Sequence, residues 1–184
     1  MKELDGQPAP SRTREPFEVQ IVESYSVADR NDLAEGEKDP SGTSVYQLQW
    51  RPTEKHILVV EGVKTVCHVG LVGQTVEVQG NLVSIAGIGG VLVRLGCRGR
   101  GYCRMAMAAA ENFALSPMAV NFMLLFCGPT LQSLYEHLGW AKVSGPVWAE
   151  QIQGNVLLPI ISMVKCLRSE QWPKGEVRLG SRPW

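Results

Sequence analysis

Hydrophobic and polar positions alternate over Phe17-Glu18-Val19-Gln20-Ile21-Val22, and this period of two predicts a first strand. Ser26 to Glu37 then predicts a short helix capped by Ser26. Lys38 to Thr43 is a loop with a turn at Asp39-Pro40-Ser41-Gly42, and Tyr46 to Trp50 a short extended piece. Three β-like runs follow: His56 to Glu61, Thr65 to Val78, and Leu82 to Arg94. Gly70 and Gly73 suggest a bulge or bend in the second run. Short turns between successive strands predict an antiparallel meander. A helix from Tyr102 must stop near Ser116-Pro117, because Pro117 cannot continue it. Val120 to Cys127 is apolar throughout, so it reads as a strand covered on both faces. Leu131 to Leu138 is a second helix closed by Gly139. Val143–Gln151 and Val156–Leu167 look like a final hairpin around Gly154-Asn155, and Trp172 to Trp184 reads as irregular.

The Pro-rich, charged stretch 1–16 reads as a loose tail, which leaves one domain over 17–184. The 184 residues carry 18 Lys and Arg against 18 Asp and Glu, so net charge gives no general attraction to nucleic acid or membrane. The charge is uneven: the first 50 residues carry −5 and the remainder +5, and no Asp follows Asp39. Five cysteines without a CxxC spacing, mostly in apolar runs, read as reduced thiols in a cytoplasmic protein. Three scattered histidines suggest no metal site. No apolar run reaches the roughly 20 residues of a membrane span, and the polar start is not a signal peptide.

The most specific chemistry lies at Arg98-Gly99-Arg100-Gly101-Tyr102-Cys103, between the third β run and the Tyr102 helix. A strand, a Gly/Arg turn and a helix N-terminus in that order form an anion cradle. Glycine lets the backbone approach a ligand, and free N–H groups with the helix dipole favour phosphate. A dinucleotide fingerprint would need a third glycine, and a P-loop would need a closing Gly-Lys-Ser/Thr; both are missing here. Arg98-x-x-Gly101-x-Cys103 resembles instead the phosphate motif of the GNAT superfamily of acyl-CoA N-acyltransferases, with Cys103 where that family prefers Gly or Ala. Leu134-Tyr135-Glu136-x-x-Gly139-Trp140 resembles the same family's second motif, and the order of elements from Phe17 to Leu167 also matches.

The resemblance implies an α/β fold: a mixed, mostly antiparallel sheet of about seven strands, flanked by helices and splayed at an acyl-CoA site. It implies acetyl-CoA as co-substrate and a small-molecule primary amine as acceptor, acetylated by direct attack. Backbone groups of Val91, Leu92 and Val93 would hold the pantetheine arm, with the Val91 N–H polarising the thioester. Arg98, Gly99, Arg100, Gly101, Tyr102, Cys103 and Arg104 would hold the diphosphate. Tyr135 would be the general acid for the departing thiolate. Glu77, His68 and Glu61 are the candidates for a base, although many relatives use ordered waters. Cys97 or Cys103 as nucleophile is a ping-pong alternative. The second motif, Gly145-Pro146 and the final Trp184 are similar to the aminoglycoside 2′-N-acetyltransferases, whose terminal carboxylate reaches the acceptor site. Those enzymes place a Glu where this chain has Gly89. The acidic segment Glu23 to Asp39, Glu35 and Glu37 above all, is expected to attract a cationic acceptor. A non-catalytic acyl-CoA-binding module is the reading from another class. A homodimer through the C-terminal strands is implied by the family, and nucleic acid or membrane partners are not.

Overall fold

The computed structural model describes residues 16–184, so the tail expectation falls, Pro16 apart, outside the described residues. The chain runs β1 (Phe17–Val22), α1 (Val27–Ala34), β2 (Lys55–Glu61), β3 (Lys64–Val78), β4 (Asn81–Val93), α2 (Tyr102–Leu115), β5 (Phe122–Cys127) and α3 (Gln132–His137). It continues with β6 (Ala141–Lys142), β7 (Val147–Gln151), β8 (Gly154–Leu157), β9 (Ile161–Cys166) and β10 (Val177–Arg178). Ser26 caps α1 as expected: its Oγ accepts from Asp29 N at 3.1 Å, and the Asp29 carboxylate accepts from Ser26 N in return. The helix stops at Ala34, short of Glu37, because Glu35 and Gly36 turn to φ +50° and +83°. The β3–β4 hairpin closes through Gln79 and Gly80, both at positive φ, the geometry that matches strand twist in a two-residue loop.

The strands join one mixed, mostly antiparallel sheet of ten, in the order β6-β9-β5-β4-β3-β10-β7-β8. The early half of β3 also pairs with β2, and β2 with β1. Three of the ten strands have only two to four residues, which accounts for the excess over the expected seven. The final hairpin is confined to β7 and β8; Ile161–Cys166 leaves it, past Pro159, to pair antiparallel with β5 and β6. The C-terminal stretch is not irregular throughout. Val177-Arg178 wedges between β3 and β7, a pairing with no local pattern to announce it.

Two apolar layers cover the sheet. On one face α2 lays Ala106, Met107, Ala110 and Ala114 over Val59, Cys67, Val69 and Ile88. Alanines let the helix come close. The other face packs Val72, Phe122, Leu124, Val147 and Trp184. β5 is buried on both faces, as its continuous apolar run predicts.

Two irregularities in β4 shape the middle of the sheet. Pairing with β3 passes from Gly70↔Gly89 to His68↔Leu92, so β4 carries one extra residue at a bulge where Gly90 has φ +58°. Parallel pairing with β5 ends at Ile88↔Leu125. Beside the bulge, His68 is 4% exposed. Its Nδ1 lies 2.7 Å from Gly90 O and its Nε2 lies 2.9 Å from His56 Nδ1. A carbonyl only accepts, so His68 Nδ1 carries the proton and Nε2 accepts from His56 Nδ1–H.

Burial lowers the His68 pKa from an ordinary 6.5 to about 4, against the opposing hydrogen bond to Gly90; nearby His56 and Arg30 lower it further. The unfolded chain therefore takes up a proton near pH 6.5 and the folded chain does not until near pH 4. This contribution to stability is complete above pH 6.5 and is lost as pH falls toward 4, at about 1.4 kcal/mol per pH unit and on the order of 3 kcal/mol in total. Urea midpoints measured at pH 7, 6 and 5 should fall with that slope. In His68→Asn they should fall less steeply; an unchanged slope would remove His68 as its source.

Candidate functional site

The cradle forms where β4 gives way to α2. A 3₁₀ turn over Leu95–Cys97 leads to Arg98-Gly99-Arg100-Gly101, with Gly99 at φ +75° and Gly101 at +88°. No atom lies within 4 Å of where a Cβ on either glycine would stand, so both face open space. Gly101 is the N-cap of α2 and supplies no side-chain acceptor. The first N–H groups of a 14-residue helix are thus left for a ligand. Beyond Ile88 the edge of β4 toward β5 is unpaired, and Gly90 and Val91 have no register partner in β3 either. Val91, Leu92 and Val93 therefore lead an open strand edge to the uncapped helix end.

The arginines around the cradle do not converge on one point. Arg94, 12% exposed at its side chain, pairs with Asp32 and Glu35 and donates to Asp32 O and Thr65 O. It ties α1 to β4 and lies outside the cradle. Arg98 pairs with Glu37, and its Nε donates to Val93 O at 3.2 Å. Arg100 Nη2 donates to Glu61 at 2.8 Å, and the guanidinium lies 5.2 Å from the Tyr102 ring centroid. Arg104 is exposed and has no ion pair among the described residues.

These contacts bear on three expectations. Glu35 accepts from Arg94 and from Leu95 N, and Glu37 accepts from Arg98, so both carboxylates face the protein's own arginines rather than an acceptor cleft. Glu61 accepts from both Arg100 and the Tyr102 hydroxyl, at 2.6 Å in the latter case, which commits it to the cradle wall and not to a base's role. Tyr102 itself is buried through that contact.

Tyr135 lies on α3 at 4% exposure, edge-on to Trp140 with centroids 6.2 Å apart. Its hydroxyl has no hydrogen-bond partner among the described residues. Burial first, and then the neighbouring thiols of Cys103, Cys127 and Cys67, push its pKa far up, so the phenol stays protonated. Cys67 and Cys103 are pushed up by burial as well, and Cys127 to about 11. A buried neutral thiol is a poor nucleophile, which counts against Cys103 in a ping-pong role. Cys97 is buried, its sulfur near only the Arg100 guanidinium at 3.9 Å.

The remaining candidates are His68 and Trp184, on the face opposite α2, and Glu77, which alternates with Val76 and Val78 on that face and so points to the other. His68 has both ring nitrogens engaged and is stacked under Tyr25, with centroids 4.6 Å apart, so no lone pair is left to take a substrate proton. Glu77 lies seven residues beyond Gly70 along β3, about 23 Å at ~3.3 Å per residue. It is paired with Arg178 in register and is remote from the bulge. Trp184 is 4% exposed and lies across β4 where the strands part. A Cβ at Gly87 would stand 2.1 Å from its Cε2, and one at Gly89 would stand 2.8 Å from its carbonyl carbon. Its ring packs on Phe126 at 5.3 Å and its indole N–H is unpaired. Gly87 and Gly89 are therefore needed for room, not for backbone freedom.

Sequence reasoning missed His56, Tyr25 and Thr53, which line this face. Counting back from the Gly62-Val63 turn in plain register sets His56 opposite Val69; only the bulge at Val59/Val60 shifts it by one residue, diagonal to His68 on the same face. Nothing in the sequence announces Thr53 either, whose side chain, hydroxyl foremost, fills the side-chain space of Gly70.

Among the described residues no helix is long and apolar enough to cross a membrane, and no cluster of three metal-ligating side chains occurs. No curated protein matches the sequence. Solved structures share the fold. A GNAT family N-acetyltransferase of Escherichia coli in complex with CoA aligns at TM-score 0.62 and 13% identity, over 94% of each chain. An acyl-CoA N-acyltransferase of Pseudomonas aeruginosa aligns at 0.53 and 15%, over 82% of this chain and 100% of its own. An aminoglycoside 6′-N-acetyltransferase complexed with coenzyme A aligns at 0.54 and 11%, over 84% and 99%. A family model described as an acetyltransferase (GNAT) domain matches residues 31–143, a stretch that holds the meander, the cradle, α2, β5 and α3. With more than half its length in that match, the chain belongs to the GNAT acetyltransferase family.

Proposed function

We propose that this acyl-CoA-dependent N-acyltransferase moves an acetyl group from acetyl-CoA to a primary amine of a small molecule, by direct attack of the amine. One observation carries the reading: the unpaired edge of β4 at Gly90–Val93 runs straight into the uncapped N-terminus of α2. An extended amide-bearing arm would pair with Val91–Val93 as an added strand. Its diphosphate would meet the N–H groups from Gly99 to Arg104 and the free Arg104 guanidinium. Acetyl-CoA supplies the thioester carbonyl and a thiolate leaving group. Arg98 would leave Val93 O as that edge becomes paired.

Tyr135 fits a general acid. Its surroundings hold the phenol protonated, and Cys103 and Cys127 place it by the first turn of α2 and the end of β5. With Glu77 remote, Glu61 committed and His68 fully bonded, the amine's proton leaves through water. An aminoglycoside 2′ acceptor is not favoured by this site, because Trp184 fills the side-chain space at Gly89.

The test is release of free thiol from acetyl-CoA by purified protein offered amino acids, polyamines, aminoglycosides and peptides. Release with one amine class supports the reading; none with any, despite a thermal shift on adding acetyl-CoA, favours a binding module. Tyr135→Phe should lower kcat about 10²-fold or more while the dissociation constant for acetyl-CoA stays within twofold. An unchanged kcat would remove Tyr135 from the chemistry. Glu37→Gln should release Arg98 to a phosphate and tighten acetyl-CoA binding about two- to fivefold by calorimetry, the worth of one exposed ion pair. Weaker binding would mean that Glu37 holds the loop in its competent shape.

A further inference from the structure

The buried histidine pair beside the β4 bulge is not used by the chemistry above, yet its geometry addresses the peptide that matters most to it. His68 Nδ1–H donates to Gly90 O at 2.7 Å, and His56 Nδ1–H donates to His68 Nε2 at 2.9 Å. Both donors run in one direction, from the half-buried His56 toward the bulge. The rings are fixed in place: Tyr25 stacks on His68 at 16° between planes, and the two imidazoles have centroids 5.2 Å apart. A Cβ at residue 90 would come within 3.3 Å of His68 Cε1, so the glycine also admits the ring.

Gly90 C=O and Val91 N–H belong to one peptide unit. The described residues contain no cis peptide, so the two groups point in opposite directions. The carbonyl is turned to His68 on β3. The N–H must then point away from β3, toward the space vacated where β5 separates from β4. A hydrogen bond to an amide oxygen draws charge through the amide resonance and makes the N–H on its other side a stronger donor. Chains of such bonds strengthen one another by about 10–30% per bond. An aliphatic pair would fill the same place without the cost of burying the His68 imidazole and half-burying that of His56.

We propose that His68, backed by His56, is a positioning residue that orients and polarises the Gly90–Val91 peptide so that the Val91 N–H stabilises charge on the thioester oxygen. The inference rests on the acyl-transfer reading, which places the thioester at Val91. The pair holds no proton for the amine; it sets the strength and direction of an oxyanion donor.

The experiment combines kinetics with the infrared carbonyl stretch of carbonyl-¹³C-labelled acetyl-CoA bound to the protein without acceptor. In the unaltered protein the stretch should lie below that of free acetyl-CoA. His68→Leu removes the donor, and His68→Asn keeps an N–H where Nδ1 stands. His68→Leu should lose most of the shift and lower kcat about tenfold, a weakened rather than deleted oxyanion donor, with acetyl-CoA affinity within twofold. His68→Asn should recover the shift and most of kcat. His56→Phe, at a half-buried position, should show a smaller loss of both, and serves if His68→Leu fails to fold. A stretch and kcat insensitive to these changes would overturn the proposal, as would Asn behaving like Leu. Thiol release and a shifted stretch in the unaltered protein, with no response to the substitutions, would sink the proposal alone. No release and no shift in the unaltered protein would sink the acyl-transfer reading and the proposal with it.

Discussion

Every N–H and C=O inside a sheet needs a partner, and beyond Ile88 the edge of β4 toward β5 has no strand beside it, only Arg98 Nε reaching Val93 O. The rest of the architecture is arranged around that unpaired edge. The bulge at Gly90 swings β4 away from the register it shares with β3, and pairing with β5 has already ended at Leu125. On one face Trp184 and Phe126 fill the angle between the strands. On the other, α2 begins, its own first N–H groups equally unpartnered. Both sets of backbone groups are open to solvent, and an extended, polar ligand would replace water along them. That is the physical content of an acyl-CoA site in this fold.

The charge division of the chain has its explanation inside the molecule. Part of the acidic front segment is spent on the protein's own arginines, although Glu23, Asp29 and Asp32 stay exposed. Asp32 and Glu35 hold Arg94, Glu37 holds Arg98, and Glu61 on β2 holds Arg100. Arg94 is the most buried of these arginines and fastens α1 to the end of β4. The other two are more exposed, so each contributes little to stability and can be exchanged for a phosphate at small cost. Arg104 needs no exchange. The arginine cluster thus divides into one structural member, two that can switch partners, and one, Arg104, with no ion pair among the described residues.

Glycines in β4 and β3 serve two different physical ends. Gly90 adopts a backbone conformation that a side chain would strain. Gly87, Gly89 and Gly70 do not; each leaves room for a group arriving from elsewhere, Trp184 in the first two cases and Thr53 in the third. The histidine pair fits the same pattern. Its members lie on adjacent strands, and Gly90, without a side chain, leaves room for the His68 ring.

Much of this was legible in the residues alone. The β2–β3–β4 meander, the Ser26 cap, the stop at Pro117, the doubly buried β5 and the Gly/Arg cradle all depend on local periodicity, turn chemistry and backbone freedom, which act over a few residues. Tertiary structure decided the matters that act over a hundred. Whether Ile161–Cys166 would pair with β8 or with β5 depended on which edge was open, not on its own apolar pattern. Val177-Arg178 became a strand because β3 and β7 left a gap of its width. Trp184 found Gly87, and Glu37 found Arg98, across long stretches of chain. The residue types determined what could bind phosphate, donate a proton or be buried. Only the packed sheet determined which carboxylates were already taken, which imidazole nitrogens were spoken for, and which peptide N–H faced the opening.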